Sequence, residues 1–298
     1  MEESFIIQQT KVGRKKVNPI FAIILLIVFI VGGQAIGEGI LVLLHSLKNS
    51  ENVFLQNVYF SSAEFVYFTA GVGILFLWIR YVEKRPIHTI GFTKKAAFQK
   101  YTKGLLYGLI LFIVITGAML ALGYLKLDLQ KVDGTVLSSM FIWMIAFLIQ
   151  GAGEEILFRG WLFQVISVRT RVWVGVVVSS LVFGLLHLLT PQFSLYTFIA
   201  IVCYGIFFSL LFLKEGNLWV NCGVHTIWNW AQTCILGFGV SGEKAIGGNT
   251  LFNPILKEGP EFITDGTLFL IITLLIGSGL ILRSLSKNKK TYDFSSIK

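Results

Sequence analysis

Residues 134–160 read GTVLSSMFIWMIAFLIQGAGEEILFRG. The first twenty of these residues carry no charge, and they end at the adjacent carboxylates Glu154 and Glu155, with Arg159 four residues further on. A run of this length covers the roughly 30 Å hydrocarbon core of a bilayer at about 1.5 Å per helical residue. The stretch therefore predicts a membrane-spanning helix with ionisable groups at its end.

The composition of the whole chain agrees with this prediction. Of its 298 residues, 55% are apolar and only 14% are charged, and the mean hydropathy is +0.75. Soluble domains carry charge on about a quarter of their residues. We therefore expect an integral membrane protein with an all-α polytopic fold, because a helix satisfies its own backbone hydrogen bonds in hydrocarbon.

Eight apolar segments are long enough to be transmembrane helices. They run from Pro19 to Leu44, Phe60 to Ile79, Gly104 to Leu125, Val136 to Phe158, Val172 to Leu189, Ser194 to Leu213, Asn217 to Phe238 and Gly266 to Leu282. The sequence thus predicts a bundle of about eight transmembrane helices, with the active site inside the bundle.

The basic residues indicate the orientation of these helices. The net charge is +9, from 25 Lys and Arg against 16 Asp and Glu. If the N-terminus lies inside, 19 of the 25 basic residues fall on inner segments and 5 on outer segments, while Arg159 lies in a span. This distribution follows the positive-inside rule and predicts that both termini are cytoplasmic. The expected partner of the basic segments is the anionic inner leaflet of the plasma membrane, and not nucleic acid.

The polar residues divide the chain into three parts. Residues 1–135 hold the N-terminal tail and the first three predicted helices. Residues 136–240 hold helices four to seven, and residues 241–298 hold an outer loop, the last helix and a basic tail. We expect residues 136–240 to be the catalytic core, because the other helices carry no polar motif of comparable strength.

The two adjacent carboxylates are the first candidates, because ionisable groups inside a membrane are costly and functional by default. On a helix, Glu155 and Arg159 face each other with the acid first, which is the favourable order. Glu154 lies about 100° around the helix and lacks this partner. We interpret Glu155 and Arg159 as an orienting, structural pair and Glu154 as a free carboxylate that is the stronger candidate for a functional role.

Three further polar residues lie in apolar helices, namely His187 in the fifth, and His225 and Asn229 in the seventh. The midpoint between Glu154 and His187 falls on a basic turn, so a hairpin about that turn puts both residues at one level. His225 and Asn229 reach a similar level when residues are counted from the start of their helix. We expect the four side chains to meet within the membrane.

Other polar residues of the helices receive a structural interpretation. Glu38 and Glu64 lie near the outer ends of the first two helices, within reach of water, and are expected to be interfacial. Cys203, Cys222 and Cys234 lie in apolar segments, and an odd number of such thiols is no disulfide framework. We interpret these cysteines as small packing residues.

The polar residues resemble the family of CAAX prenyl endopeptidases and bacteriocin-processing or self-immunity proteins, the CPBP or Abi intramembrane proteases. The resemblance rests on three ordered motifs: Glu-Glu-x-x-x-Arg at residues 154–159, Phe-x-x-x-His at residues 183–187 and His-x-x-x-Asn at residues 225–229. Each motif alone recurs by chance in hydrophobic proteins, whereas the ordered set rarely does. The resemblance covers about residues 150–235, under a third of the chain.

The resemblance implies a role for each residue. Glu154 is similar to the family's catalytic glutamate, and His187 to its partner in holding the attacking water. His225 and Asn229 are similar to the remaining polar wall of the site. Two mechanisms fit: in one, Glu154, His187 and His225 bind Zn²⁺ or another divalent metal that activates the water. In the other there is no cofactor, Glu154 is the general base, and His225 and Asn229 donate to the oxyanion.

The predicted function is an intramembrane endopeptidase that acts on a membrane-associated or lipidated protein or peptide. The sequence leaves the substrate open between prenylated C-termini, secreted peptide precursors and membrane-anchored helices, and it does not indicate an oligomeric state. One alternative is a non-catalytic immunity, scaffold or regulatory protein of the membrane. Another is a proton-coupled transporter, since Glu and His chains also form proton relays, but no inverted repeat supports it.

Overall fold

The computed structural model describes residue 11 and residues 17–190, 194–240, 250–257 and 267–287. These residues form a bundle of helices, which confirms the all-α polytopic membrane fold. Numbered along the chain, the helices are α1 (Pro19–Leu41), α2 (His45–Lys48), α3 (Val53–Leu77), α4 (Ala97–Ala121), α5 (Gly134–Glu155), α6 (Gln164–Arg169), α7 (Val172–Leu186), α8 (Leu195–Glu215), α9 (Trp219–Trp230) and α10 (Thr267–Lys287).

Three of these helices continue directly into π-helical turns. The turns cover Trp78–Glu83 after α3, Ile156–Phe163 after α5 and Ala231–Ile235 after α9. Short 3₁₀ segments cover Val42–Leu44, Ile87–Ile90 and His187–Leu189. The π-turns after α5 and α9 adjoin the predicted site residues of both helices, and π-turns are frequent at functional sites.

Six helical stretches of the described residues are long and apolar enough to cross a membrane. They are Pro19–Lys48, Val53–Glu83, Ala97–Ala121, Gly134–Arg169, Leu195–Glu215 and Thr267–Lys287. The predicted fifth and seventh spans are helical too, but α7 has 15 residues and α9 has 12, with 5 more in its π-turn. Fifteen residues reach only about 22 Å, which is less than the bilayer core of about 30 Å. The count of eight spans is therefore not confirmed, and the orientation of the termini stays a prediction.

Side-chain caps set the beginnings of three long helices. Asn18, Asn52 and Asp133 each accept a hydrogen bond at 2.9 Å from the backbone N–H two residues later. Such a cap satisfies a donor that the first turn of a helix leaves unpaired. The cap at Asn52 explains why α3 begins at Val53, before the apolar run from Phe60 that sets the predicted span.

The helix α9 lies at the centre of the bundle, in contact with α4, α5 and α8. On one side α1 packs on α3 and α3 on α5, and on the other α7 packs on α8 and α8 on α10. Glycines bring α4 and α9 together, since a Cβ on Gly104 would lie 2.2 Å from the Val220 carbonyl oxygen, and one on Gly223 would lie 2.3 Å from that of Tyr101. This close packing presses α9 and its polar residues into the bundle.

Two short strands, β1 (Leu125–Leu129) and β2 (Phe252–Leu256), pair in antiparallel fashion beyond the end of α4. The sequence pattern did not predict this pair. The strand β2 contains Pro254, which has no backbone N–H for a ladder and argues against a strand in a single sequence. The strands are also far apart in the chain, so only the folded bundle brings them together.

The segment after α3 is anchored in the bundle by a buried ion pair. Arg85 Nε donates to Glu83 Oε2 at 2.7 Å, and the indole N–H groups of Trp78 and Trp161 donate to Glu83 Oε1 at 3.0 and 2.6 Å. Arg85 lies between the predicted spans Phe60 to Ile79 and Gly104 to Leu125, where a basic side chain is expected to face water, whereas its side chain is completely buried. Pairing with Glu83 explains the difference, because a paired charge can be desolvated.

Candidate active site

The carboxylate of Glu155 is the centre of a fully buried polar cluster. Its Oε1 accepts from Arg159 Nη1 at 2.9 Å and from His225 Nδ1 at 3.0 Å, and its Oε2 accepts from Asn221 Nδ2 at 3.2 Å. The predicted pairing of Glu155 with Arg159 is therefore confirmed. The helix spacing alone did not predict His225 and Asn221 as further donors, because both come from α9.

The guanidinium of Arg159 lies among three phenyl rings. Its Cζ is 4.6 Å from the ring centroid of Phe183, 5.4 Å from that of Phe208 and 5.9 Å from that of Phe158. A desolvated cation over an aromatic face is stabilised by about 2 kcal/mol or more. Phe183 is the first residue of the motif that ends at His187. The second motif therefore supplies an aromatic contact to Arg159 as well as the imidazole.

The side chain of Glu154 is held at one oxygen only. Its Oε1 accepts from Gln150 Nε2 at 2.7 Å, and the Oε1 of Gln150 accepts in turn from Asn229 Nδ2 at 2.8 Å. Its Oε2 is buried and has no hydrogen-bond partner among the described residues. The nearest basic group is His225, whose Nε2 lies 3.6 Å from this oxygen. Glu154 is 7% exposed, so this oxygen is kept from bulk water.

The imidazole of His225 stands between the two carboxylates. A carboxylate accepts but does not donate, so the contact with Glu155 requires a proton on Nδ1 and turns Nε2 towards Glu154. The rings of Tyr204 and Phe208 pack edge to face on the imidazole at 5.5 and 5.6 Å. The orientation of His225 is therefore fixed by Glu155 and by two aromatic side chains.

His187 follows α7 at the start of a 3₁₀ turn. Its Nδ1 lies 2.7 Å from the carbonyl oxygen of Phe183, so Nδ1 carries the proton and Nε2 is the remaining acceptor. The Phe183 ring also packs edge to face on the imidazole at 4.9 Å. His187 is half-buried, and its ring is more accessible than that of His225.

A cavity of about 760 Å³ adjoins these groups and is lined by residues of α1, α3, α5 and α7. Glu154 and His187 both line it, with Gln150 beside them. Aromatic side chains form much of the remaining wall, namely Tyr59, Phe60, Tyr67, Phe68, Trp143, Phe147, Phe158 and Phe183. The cavity thus has a largely aromatic wall and several polar groups, among them Glu154, Gln150 and His187, as small-molecule and peptide sites commonly do.

Two of the four predicted site residues line the cavity, and the other two lie in a second layer behind them. Glu154 and His187 both line the cavity, in agreement with the predicted helical hairpin that puts the two residues at one level. His225 lies behind Glu154, and Asn229 lies behind Gln150, to which it donates its amide hydrogen bond. Neither belongs to the described lining of the cavity, and their role as oxyanion donors stays a prediction.

Two site residues were missed by sequence reasoning, Gln150 and Asn221. Gln150 stands four residues before Glu154 in an otherwise apolar run, which is a usable signal, because residues at this spacing face each other on a helix. Asn221 also stands four residues before a motif residue, His225, but its contacts are to Glu155 and to the Phe208 carbonyl oxygen. Those partners depend on how α9 is rotated against α5 and α8.

The expected metal ligands do not form a complete set as they stand. Within the described ranges, no three His, Cys, Asp or Glu side chains are grouped so that they could hold a metal ion. Glu154 and His225 are adjacent, but a catalytic zinc site needs three protein ligands and an open position. The arrangement therefore does not fit a preformed metal centre at Glu154, His187 and His225, and both the metal-dependent and the metal-free mechanism stay predictions.

Comparison with known proteins supports the family resemblance. Residues 136–231 match the family model described as Rce1-like, the type II CAAX prenyl endopeptidases. No curated protein and no solved structure matches the chain. The matched residues contain all three motifs and lie within the predicted core at residues 136–240. The chain thus carries an Rce1-like segment in an integral membrane bundle, and this family implies a protease.

Proposed function

We propose that the protein is an intramembrane endopeptidase in which Glu154 activates the attacking water. The observation that carries the proposal is the buried carboxylate of Glu154 in the wall of a large cavity, with Oε1 held by Gln150 and Oε2 without a partner. A general base must be oriented and must also keep one oxygen available for a proton. Glu154 meets both requirements.

In the proposed reaction, the carboxylate of Glu154 takes a proton from a water molecule in the cavity, and the water oxygen attacks the scissile carbonyl carbon. His187 lies in the same wall and offers Nε2 as an acceptor that holds this water. When the C–N bond breaks, the proton moves from Glu154 to the leaving amine nitrogen. The carboxylate is then regenerated, and no atom of the protein is consumed.

His225 and Asn229 act through other side chains in this scheme. His225 faces Oε2 of Glu154 from behind and is oriented by Glu155, so it sets the position and the charge environment of the base. Asn229 fixes the amide of Gln150, which fixes Oε1 of Glu154. We therefore assign both as positioning residues and reserve the catalytic role for Glu154 and His187.

The cavity supports a substrate that arrives within the membrane. It lies between α3 and α7, which both contact the π-turn Ile156–Phe163; α3 also packs on α1 and α5, and α7 on α6 and α8. The aromatic wall suits apolar side chains, and an apolar segment can reach it from the lipid between these two helices. A bound helix must unwind locally, because its own hydrogen bonds shield the peptide groups. The proposed substrate is therefore a membrane-associated or lipidated chain cut at a locally extended site.

Comparative peptidomics of membranes tests this function. Cells that produce the wild-type protein are compared with cells that produce Glu154→Gln, which keeps the size of the side chain but removes the base. Glu51→Gln, at an exposed carboxylate between α2 and α3, is the matched control. We expect one or more peptides to depend on the wild type and on the control, and to be absent with Glu154→Gln.

The alternatives predict different results. A scaffold or immunity protein would give the same peptides and the same phenotype with all three proteins. A proton-coupled transporter would lose substrate uptake or export with Glu154→Gln while the peptide profile of the membrane stayed unchanged. Either outcome at equal abundance of the three proteins contradicts the peptidase.

A further inference from the structure

Thr233 lines the same cavity as Glu154 but belongs to none of the three motifs. It lies in the π-turn after α9, four residues beyond Asn229 and two residues beyond the segment that matches the family model. Thr233 is 5% exposed, and its Oγ1 is buried without a hydrogen-bond partner within the described part of the chain. The cavity wall therefore includes a threonine whose hydroxyl the fold leaves unpaired.

The hydroxyls of other helices are used within the helix. A helical serine or threonine often donates to the backbone carbonyl oxygen four residues earlier. Five side chains do so here at 2.7–2.9 Å: Ser138, Thr170, Ser180, Ser209 and Thr273. Thr233 lies in a turn with a different spacing, in which Leu236 N donates to the carbonyl oxygen of Ala231, five residues earlier. Its hydroxyl can therefore rotate about χ1 towards a ligand without giving up a hydrogen bond.

The position of Thr233 distinguishes it from other unpaired hydroxyls. Among the described residues, four buried hydroxyls have no hydrogen-bond partner, those of Ser139, Ser167, Tyr204 and Thr233. Of these four side chains, Thr233 alone is in the described lining of the cavity. A buried hydroxyl without a partner is costly unless a bound group or water completes it. For Thr233, the cavity can supply that partner.

Four other side-chain donors of the cavity wall already have acceptors in the protein. They are Trp143 on Asn57, Gln150 on Glu154, Tyr67 on Glu38, and Thr190 on the carbonyl oxygen of His187. A substrate segment that unwinds in the cavity exposes peptide carbonyl oxygens that have lost their helical N–H partners, and each of them needs a donor. Thr233 has a donor that no residue of the protein uses.

We infer that Thr233 binds the substrate, and that its hydroxyl donates a hydrogen bond to a main-chain carbonyl oxygen of the unwound segment. The inference rests on the proposed function and adds a residue that the motifs do not contain. A segment that stays helical keeps this oxygen bonded to its own N–H and gains nothing from Thr233. The hydroxyl therefore favours chains that unwind in the cavity, whatever their side chains.

The helix geometry gives the distance of this contact from the cleaved bond. His225 lies beside Glu154, and Thr233 lies eight residues further along the same helix. Eight residues correspond to about 10–12 Å along the axis. An extended chain covers this distance in about three or four residues. The bonded carbonyl oxygen is thus expected three or four residues from the scissile bond.

Peptide binding to the full-length Glu154→Gln protein in lipid nanodiscs tests the inference without any need for cleavage. The probe is a fluorescent apolar peptide of about 20 residues, long enough to span, with a central Pro-Gly pair that interrupts its helix. Thr233→Val removes the hydroxyl at similar size, whereas Thr233→Ser retains it. By fluorescence anisotropy, we expect Thr233→Val to raise the Kd about fivefold and Thr233→Ser to change it less than about twofold.

Thr273→Val in the same background is the matched control. Its hydroxyl donates to the carbonyl oxygen of Phe269 within α10, and Thr273 is not in the described lining of the cavity, so the Kd should stay unchanged. Thermal unfolding separates binding from a structural role. The unfolding temperature of Thr233→Val should be unchanged or higher, because valine leaves no buried donor unpaired, whereas a structural hydroxyl would make it lower. If Thr233→Val does not fold, Thr233→Ala replaces it.

Replacing the amides of the probe by esters, one at a time, identifies the carbonyl oxygen, since an ester oxygen is the weaker acceptor. One ester should raise the Kd severalfold with Thr233 and have no such effect with Thr233→Val. Equal Kd values for Thr233 and Thr233→Val, a loss as large with Thr233→Ser, or no binding of the probe overturns the inference. Failure of the peptidase would appear separately, as unchanged peptide profiles with Glu154→Gln.

Discussion

His225 Nδ1 lies 3.0 Å from Glu155 Oε1, the same oxygen that accepts from Arg159 Nη1 at 2.9 Å. Glu155 therefore joins the ion pair within its own helix to a histidine of α9. The carboxylate fixes the tautomer of His225 and turns its second nitrogen towards Glu154. The ion pair of Glu155 with Arg159 is the one that the helix spacing predicted, and the same carboxylate orients the imidazole that faces Glu154.

Removing Arg159 should destabilise the fold more than removing the base. Arg159→Ala leaves Glu155 as a buried charge without its cation, which costs about 3–5 kcal/mol. Glu154→Ala removes a carboxylate with one unpaired oxygen and should cost less. Lys103→Ala is the control, since its pair with Glu215 is 43% exposed at the lysine and worth about 0–1 kcal/mol. Denaturant unfolding in mixed micelles measures the three free energies. Normal stability of Arg159→Ala, together with lost turnover, would assign Arg159 to substrate binding.

Gln150 should affect the rate more than the affinity. Gln150→Ala removes the donor that holds Oε1 of Glu154 and the acceptor that holds Asn229. We expect kcat to fall by about 10- to 100-fold, with KM changed by less than about threefold, because the base loses its orientation while the cavity wall stays. The measurement uses a substrate found by peptidomics, and Gln130→Ala, outside the cavity, is the control. An increase in KM at constant kcat would instead make Gln150 a substrate-binding residue.

The contact of α4 with α9 should be sensitive to side-chain size at one glycine. In Gly104→Val, the new side chain would meet the backbone of α9, where a Cβ already lies 2.2 Å from a carbonyl oxygen. Overpacking of this kind costs about 1–3 kcal/mol or more. Gly117→Val, on the same helix with no atom within 4 Å of its Cβ position, should be tolerated. Thermal unfolding and abundance in the membrane compare the two variants, and equal values would contradict the close packing.

The rate of thiol labelling should depend on whether a residue lines the cavity or lies behind it. Single cysteines are placed at residues 154, 187 and 225 after the three native cysteines are replaced. A membrane-impermeant reagent should label residue 187 fastest, residue 154 more slowly and residue 225 slowest, because the side chains are half-buried, 7% exposed and 2% exposed. Lys94→Cys, at an exposed position after the Ile87–Ile90 segment, is the fast control. Labelling of residue 225 as rapidly as residue 94 would place the site outside the bundle.

The sequence by itself determined the parts of this protein that depend on local order. Among the described residues, all eight predicted apolar segments are helical over most of their length, because hydrocarbon leaves a lone chain segment no other way to satisfy its backbone; the third ends at Leu125 in β1, and Gly266 of the eighth lies outside the described residues. The pair of Glu155 and Arg159 followed from a spacing of four residues, which one helix fixes without help from its neighbours. The three motifs also carried the resemblance that the match of residues 136–231 to the Rce1-like family model supports.

Only the tertiary structure decided which side chains meet across helices. Asn229 faces Gln150, and Glu38 and Glu64 line the catalytic cavity, although no spacing in the sequence links these residues. Each step along a helix turns the side chain by about 100°, so a small change in helix rotation or crossing alters every such contact. That rotation is set by close approaches such as Gly104 to α9, which involve the whole bundle. The pairing of β1 with β2 has the same origin, since the two strands are distant in the chain.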